Sequence, residues 1–197
     1  MATPREQAKE QKRKDILAEA SRIMADVGFA RMRLSDVGAA VGISGPGLYR
    51  YFESKEVLLS ELLVDISTRL LDGAKAIEAR HAELGDGPRA LLEDLIAFHV
   101  DICVDEPDRI RVQEREHWTI VAVDSEKIRM LQRAYMNLWT DALVQVLPDF
   151  DRSTARMRVQ LTAGLIGSSR YVHHWANPEV LREQLRVMAW AAILAPA

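Results

Sequence analysis

The stretch of residues 35–55 restricts the possible folds of this chain most strongly, because it predicts two short helices joined by a tight corner. Ser35 precedes the first helical run and can cap its N-terminus through the side-chain oxygen. The apolar positions of this helix recur at helical spacing and are Val37, Ala40 and Val41. Gly42 ends the helix and can adopt the left-handed backbone angles that a sharp corner needs.

The second helix of this stretch begins after Ser44, a further N-cap candidate, with Pro46 in its first turn, where a missing N–H breaks no intrahelical bond. Leu48 and Phe52 are four residues apart, so we expect both to face inward. Helix–glycine–helix corners occur in many all-α proteins. Two short helices joined in this way also form the helix-turn-helix pattern, whose second helix enters the major groove of DNA.

Three consecutive motifs extend the pattern: ADVGF at the end of a helix, then DVGAAVGIS, then GLYRYFESKEVLL. Together they closely resemble the N-terminal domain of the TetR family of transcriptional regulators, from about Ile16 to Leu62. The chain departs from the family at Gly45-Pro46-Gly47, where Lys-Gly-Thr or a similar run is usual, and at Met32 and Arg33, where small hydroxyl residues are common. These departures concern the DNA sequence that is read, and they leave the predicted fold unchanged.

The resemblance implies that DNA is contacted by the helix-turn-helix and by the start of the next helix. The predicted contact residues are Arg33, Ser44, Gly45, Pro46, Gly47, Tyr49, Arg50, Tyr51 and Lys55. Arg50 is the only long, multiply donating side chain of the second helix, and it can either read a guanine or bind a phosphate. The family counterpart of Lys55 contacts phosphate. Lys12, Arg13 and Lys14 form either a solvated face or a further phosphate or minor-groove contact.

The charge distribution is compatible with a DNA-binding head on an acidic body. The net charge is −3, but residues 1–55 carry ten basic and seven acidic residues, whereas residues 56–197 carry 16 and 22. The single cysteine, Cys103, excludes an internal disulfide framework and suits a reducing cytoplasm. No apolar run is long enough to span a bilayer, and the polar N-terminus lacks the apolar segment of a signal peptide. We therefore predict a cytoplasmic protein with no membrane partner.

Apolar periodicity along the chain predicts an all-α fold of about nine helices. Residues 1–9 are expected to form a frayed arm before a helix from Glu10 to Val27. Ser54 is expected to cap a long helix that reaches about His81. Later helices are expected to end near residues 104, 118, 146, 175 and 194. The predicted division is a helix-turn-helix DNA-binding domain over residues 1–55 and a ligand-binding and dimerisation domain over residues 56–197.

The last two predicted helices are more apolar than one small core needs, so they are either buried in their own chain or form a dimer face. The resemblance favours the dimer, because TetR-like proteins pair through their last two helices as a four-helix bundle. The predicted interface residues are Gly164, Gly167, Val187, Trp190 and Leu194. The glycines would let helix backbones approach closely, and a two-fold symmetric pair of heads matches the symmetry of helix-turn-helix operators.

Large aromatic residues with interspersed polar groups occupy the middle helices, and they form either an ordinary core or a small-molecule cavity. In the family this region holds an inducer pocket. The predicted lining residues are Trp118, Tyr135, Trp139 and His173. The pairs His99–Cys103 and Glu114–His117 match no metal motif, and no glycine-rich phosphate loop follows a strand. We therefore expect no catalytic residues, no metal site and no cofactor.

These features predict a dimeric, ligand-responsive regulator of transcription, and they favour a repressor over an activator. Its partners would be double-stranded operator DNA, a second copy of the chain, and a small apolar or amphipathic effector, with lipid-like molecules and acyl thioesters as candidate classes. The rival hypothesis is an all-α ligand-binding or catalytic protein whose head has lost DNA binding. The side-chain-poor run Gly45-Pro46-Gly47 motivates that rival.

Overall fold

The computed structural model describes residues 3–116 and 124–196. These ranges contain nine α-helices, one short 3-10 helix and no strand, which confirms the predicted all-α fold and its number of helices. The α-helices are α1 (Pro4–Val27), α2 (Leu34–Ala40), α3 (Gly45–Leu48), α4 (Lys55–Leu84), α5 (Pro88–Asp105), α6 (Pro107–Glu116), α7 (Ser125–Val146), α8 (Arg152–Gly167) and α9 (Pro178–Ile193).

Helix α1 begins six residues earlier than the apolar pattern predicts, so the expected frayed arm over residues 1–9 is wrong for its described part. The side chain of Thr3 accepts a hydrogen bond from the backbone N–H of Glu6, at 3.3 Å. The Glu6 carboxylate in turn accepts one from the backbone N–H of Thr3, at 2.7 Å. This reciprocal capping box stabilises a polar helical turn that apolar periodicity does not detect.

The corner between α2 and α3 forms around Gly42, whose φ of +71° lies in the left-handed region, as predicted. Ser44 caps α3 by accepting from the backbone N–H of Gly47 at 3.2 Å, and Leu48 and Phe52 are buried. Two details of α2 differ from the prediction. Ser35 lies inside the helix and does not cap it, and Ala40 is exposed, because the buried face is formed by Leu34, Val37 and Gly38.

Helix α4 connects the two halves of the molecule. Ser54 caps it through the backbone N–H of Val57 at 3.2 Å, as predicted, and its 30 residues extend for about 45 Å. Its residues up to Leu63 belong to the apolar core of the head, and its residues from Ile66 onward belong to the core of the body. The head core also contains Val112 of α6 and Ile128 of α7. The predicted division at residue 55 thus coincides with the start of a helix that both halves share.

The body is a layered bundle in which α5 packs against α4, α7, α8 and α9 around the buried Trp139. Helices α4 and α5 approach closely at Gly73, where a Cβ atom would overlap the Phe98 ring. Helix α8 ends at Gly167, and a 3-10 helix follows over Ser168–Tyr171. The predicted continuation to residue 175 is wrong, because Ser168 bonds back to the Leu165 carbonyl at 2.6 Å and the backbone tightens there.

Candidate nucleic-acid interface and effector cavity

An open groove on the head runs between the α1–α2 connection, α3 and the start of α4, with a volume of about 760 Å³. Arg31, Arg33, Tyr49 and Lys55 are among its lining residues. Arg50 is exposed and follows Tyr49, which is 58% exposed. Within the described residues, the guanidinium groups of Arg33 and Arg50 form no ion pair, unlike that of Arg13 in the same head. These two arginines and Tyr49 are therefore available to contact a polyanion.

Other predicted contact residues are engaged in holding the head together. The Ser44 hydroxyl is used in capping α3, and Tyr51 is half-buried against the head core. The Lys55 ammonium donates to the carbonyl oxygens of Phe29 and Ala30, at 3.3 Å each, and lies 4.6 Å from the centre of the Phe29 ring. Lys55 thus ties the start of α4 to the end of α1. The run Gly45–Gly47 brings only backbone and a pyrrolidine ring to this surface.

Two of the three consecutive basic residues near the middle of α1 also have internal partners. The Lys12 ammonium donates to the Val41 carbonyl at 3.2 Å. Arg13 forms an ion pair with Glu61, donates to the Tyr51 carbonyl at 2.8 Å, and stacks over the Phe52 ring at 4.4 Å. Lys14 is exposed. The sequence left open a solvated face or a DNA contact for these residues. The structure adds a third role, since Lys12 and Arg13 position α1 against the rest of the head.

A cavity of about 380 Å³ lies in the body among α4, α5, α6, α7 and α8. Its lining residues come from all five helices and are Ser67, Leu70, His99, Ile110, Gln113, Glu114, Arg129, Gln132, Arg133, Tyr135, Met136, Arg156, Gln160, Ala163 and Gly164. This volume lies in the lower part of the range typical of small-molecule sites. Buried residues, among them Leu70, Tyr135 and His99, form its floor, and exposed arginines surround its mouth.

The floor contains a buried polar pair, His99 and Tyr135, whose Nδ1 and hydroxyl oxygen are 3.0 Å apart. Burial lowers the pKa of His99 to about 4, so the imidazole is neutral at pH 7. Burial also raises the pKa of the Tyr135 phenol, which keeps its proton. Tyr135 and Nδ1 of His99 share one hydrogen bond, whose donor is set by the ring nitrogen that carries the proton. The Trp139 ring packs edge-on against His99, with centroids 5.7 Å apart.

Helix α6 links this cavity to the head. Its residues Ile110, Gln113 and Glu114 line the cavity. The next two residues, Arg115 and Glu116, hold the end of α1, and we refer to this pair as the clasp. Arg115 donates to the Met24 carbonyl at 2.6 Å. Its positive charge also interacts favourably with the negative, C-terminal end of the α1 dipole. The buried Glu116 carboxylate accepts from the backbone N–H of Phe29 at 3.2 Å.

Residues 16–62, which form the head described above, match the sequence model of the bacterial regulatory proteins of the tetR family. The head is therefore a TetR-family domain. No curated protein sequence matches the chain.

Solved structures share the fold of this chain over nearly its whole length. A TetR-family transcriptional regulator from Bordetella parapertussis 12822 is 22% identical, with a TM-score of 0.80 over 93% of this chain and 94% of that one. AibR, in complex with isovaleryl coenzyme A and operator DNA, is 17% identical, with a TM-score of 0.73 over 94% and 100% of the two chains. FadR from Bacillus subtilis, in complex with stearoyl-CoA, is 16% identical, with a TM-score of 0.69 over 93% and 99%.

Of the residues predicted to line the effector pocket, Tyr135 lines the cavity directly. Trp139 lies beside His99 and Tyr135 in the core. His173 is exposed outside the lining of this cavity, with its Nδ1 2.9 Å from the Arg170 carbonyl, and its contact with an effector stays a prediction. It follows the end of α8 and the 3-10 helix. Trp118 lies outside the described residues.

The sequence interpretation missed the arginines at the mouth of the cavity. Arg129, Arg133 and Arg156 lie on the polar faces of α7 and α8, where charged side chains are ordinarily assigned to solvent. Spacing gives one retrospective signal, since Arg129 and Arg133 are four residues apart and share a helix face with Met136.

The predicted dimer residues fall on both sides of α8 and α9. Gly164 and Val187 are exposed. Gly167 is buried beside Glu114 of the same chain, and its place in a dimer interface stays a prediction. Trp190 and Leu194 are half-buried against the body core. The exposed apolar residues of these two helices are Met157, Leu161, Val180, Val187 and Met188.

Within the described residues, none of the helices combines the length and the apolar character needed to cross a membrane. The same residues contain no group of three or more histidine, cysteine, aspartate or glutamate side chains placed to hold a metal ion.

Proposed function

We propose that this protein is a cytoplasmic, homodimeric transcriptional repressor that leaves its operator when a small apolar or amphipathic effector occupies the body cavity. The observation that carries the proposal is the position of α6, which lines the cavity with Gln113 and Glu114 and holds the head with Arg115 and Glu116. The AibR structure contains both isovaleryl coenzyme A and operator DNA, and it thus supports the combination of effector binding and operator binding in one fold.

DNA binding in this proposal uses two heads at once. The exposed apolar residues of α8 and α9 pair with those of a second copy, and the two α3 segments reach successive major grooves about 34–36 Å apart. Arg33 and Tyr49 supply the first contacts because they line the groove, and Arg50 joins them as an exposed side chain next to Tyr49 in the sequence. Joining two heads raises the affinity for a two-fold operator through effective concentration.

Release follows from a shift between head positions. An effector that fits the cavity better in one position of α6 shifts the population toward that position. Because the clasp joins α6 to α1, the head follows α6, and the spacing of the two heads then mismatches the two grooves. Helix α4 supplies a second connection, since Ser67 and Leu70 line the cavity and Lys55 begins the same helix in the head.

The direct test uses fluorescence anisotropy to measure binding of the protein to the DNA upstream of its own gene. The salt concentration is kept fixed, because salt alone strongly changes the affinity of a protein for DNA. We expect specific binding that exceeds binding to a scrambled duplex by at least about 10³-fold. Equal affinity for both duplexes would contradict the proposal.

The rival is a small-molecule-binding or catalytic protein that no longer binds DNA. Helix α3 favours it, since it spans only Gly45–Leu48 and its first three residues offer no donor side chain. The same anisotropy experiment separates the two. Ligand binding in the cavity together with equal affinity for specific and scrambled DNA would select the rival.

A further inference from the structure

Three arginines that have no paired acidic group line the cavity. Arg129 and Arg133 lie one turn apart on α7, and Arg156 comes from α8. Within the described residues none of the three forms an ion pair or a side-chain hydrogen bond, whereas other arginines of the body do. Like charges at this spacing repel one another, so the arrangement is unfavourable in the empty protein. A site that gathers unpaired arginines is suited to bind an anion.

A shortage of acidic side chains does not explain the unpaired arginines. Residues 56–197 contain 22 acidic residues against 16 lysines and arginines. Other arginines of the body are paired, as Arg152 is with Asp141 and Arg186 is with Asp101. The Glu114 carboxylate, the acidic group among the described cavity residues, is itself paired with Arg170. The cavity therefore presents an excess of positive charge although the body as a whole is acidic.

Other residues of the cavity lining are apolar or uncharged. Leu70 and Ile110 are buried, and Met136 is partly buried. His99 is uncharged at pH 7, since burial lowers its pKa to about 4, and its Nδ1 is hydrogen-bonded to Tyr135. A ligand with one anionic end and one apolar end would match both sets of lining residues at once.

We infer that the effector is an amphipathic anion, whose carboxylate or phosphate is bound by Arg129, Arg133 and Arg156 and whose apolar part lies against Leu70, Ile110 and Met136. The inference rests on the proposed function and specifies the class of effector. The cavity volume of about 380 Å³ suits a short or medium apolar chain, so a larger carrier group would extend past the arginines to solvent.

Calorimetric titration of the full chain without DNA tests the inference with four eight-carbon probes: octanoate, octyl phosphate, octanol and octanoyl coenzyme A. We expect at least one of the anionic probes to bind, and octanol to bind at least tenfold more weakly than that probe. Tightest binding by octanoate identifies a free carboxylate as the anion. Tightest binding by octyl phosphate or by the coenzyme A thioester identifies a phosphate.

Single substitutions test whether the cavity arginines bind the anionic group of the probe. Arg133→Gln and Arg156→Gln should each weaken binding of the tightest anionic probe by at least tenfold, because each removes a charge-assisted hydrogen bond. Arg111→Gln is the matched control, since Arg111 is an exposed arginine of α6 outside the cavity lining, and it should leave binding unchanged. Thermal unfolding of each variant verifies that the fold is retained.

Three outcomes would overturn the inference: octanol binding as tightly as the anions, unchanged binding by both cavity variants, or no anionic probe binding at millimolar concentration. The proposed function fails separately. An anion that binds through the arginines without releasing operator DNA leaves the inference standing and contradicts the effector-controlled release. If octanol releases operator DNA and no anionic probe does, the effector-controlled release is supported and the inference of an anionic effector is overturned.

Discussion

At the scale of single residues, the DNA-facing surface relies on few side chains. Gly45 and Gly47 have none, and Pro46 has no hydrogen-bonding group. Arg50 and Tyr49 are exposed and free of internal partners in the described part of the head. Lys55 is engaged with the α1 carbonyls. Sequence-specific contacts should therefore be sparse and should depend on Arg50.

Replacing Arg50 with alanine tests this dependence. Arg pairs well with guanine O6 and N7, so Arg50→Ala should cost about 1–3 kcal/mol on the true operator and relax the preference at one base pair. Selection of preferred sites from random DNA, for wild type and variant side by side, measures the change. Arg111→Ala removes the same charge from the body and serves as control. Identical site preferences with uniformly weaker binding would assign Arg50 to a phosphate instead.

His99 makes stability depend on pH in a defined window. Its pKa is about 4 in the folded protein and about 6.5 in the unfolded chain, so the unfolded chain binds the extra proton between these values. This contribution to stability is complete above pH 6.5 and is lost as the pH falls toward 4. Between pH 7.5 and 5 the loss is about 2 kcal/mol.

Urea unfolding of wild type and His99→Gln at pH 7.5 and 5.0 measures this contribution. Glutamine can still accept the Tyr135 hydrogen bond but does not titrate, so the variant should lose about 2 kcal/mol less over this interval than wild type. Equal losses in both proteins would show that His99 is already protonated when folded.

Residue roles were predictable where a local rule decides them. Ser44, Ser54 and Gly42 act in the turn and cap roles that their sequence contexts predict. Roles that depend on a partner far along the chain were not predictable. Lys55 meets a carbonyl 26 positions away, and Arg115 meets one 91 positions away. No local pattern contains such information.

At the scale of secondary-structure elements, α6 matters most for the proposed control. One face of this ten-residue helix contributes to the cavity, and its last two residues form the clasp on α1. Its apolar pattern predicts a short amphipathic helix and gives no sign of this connection. Helix ends were also set by tertiary contacts, since α8 stops where Ser168 turns back and Arg170 pairs with Glu114 of α6.

Breaking the clasp should separate effector binding from DNA release. Arg115→Met removes the bond to the Met24 carbonyl and keeps much of the side-chain length. Effector affinity without DNA should be unchanged. The ratio of DNA affinities without and with effector should fall several-fold, since allosteric couplings are typically about 1–3 kcal/mol.

Anisotropy titrations with and without the tightest anionic probe give this ratio directly. Arg111→Met, on the same helix outside the clasp, is the control and should behave as wild type. If the ratio of DNA affinities without and with effector is the same in Arg115→Met as in wild type, the coupling between cavity and head runs through α4 instead of α6.

At the scale of the whole molecule, the exposed apolar side chains of α8 and α9 suggest a second copy of the chain. Leu161 is 66% exposed and Val187 is 60% exposed on adjacent helices. Solvent contact of such residues is unfavourable by roughly 25 cal/mol per Å² of apolar area. The apolar composition of these helices predicts a dimer face, which stays a prediction, and of the residues named for it only Val187 is among the exposed apolar side chains of the described helices.

Leu161→Glu should weaken the dimer, because it places a charge in an apolar contact, and it should lower operator affinity in parallel. Sedimentation velocity measures the first effect and anisotropy measures the second. Leu84→Glu is the matched control, since Leu84 is also 66% exposed but lies at the far end of α4. A dimer that persists unchanged in Leu161→Glu would exclude this face.

The completion of the head core by Val112 and Ile128 limits how regulators of this kind can be recombined. A chimera that joins this head to a foreign body would replace two of its core side chains with whatever that body carries there. Each mismatch would leave a void or an overlap that costs roughly 1–3 kcal/mol. New promoter specificities should therefore arise more readily by changing exposed residues such as Arg50 than by exchanging whole heads.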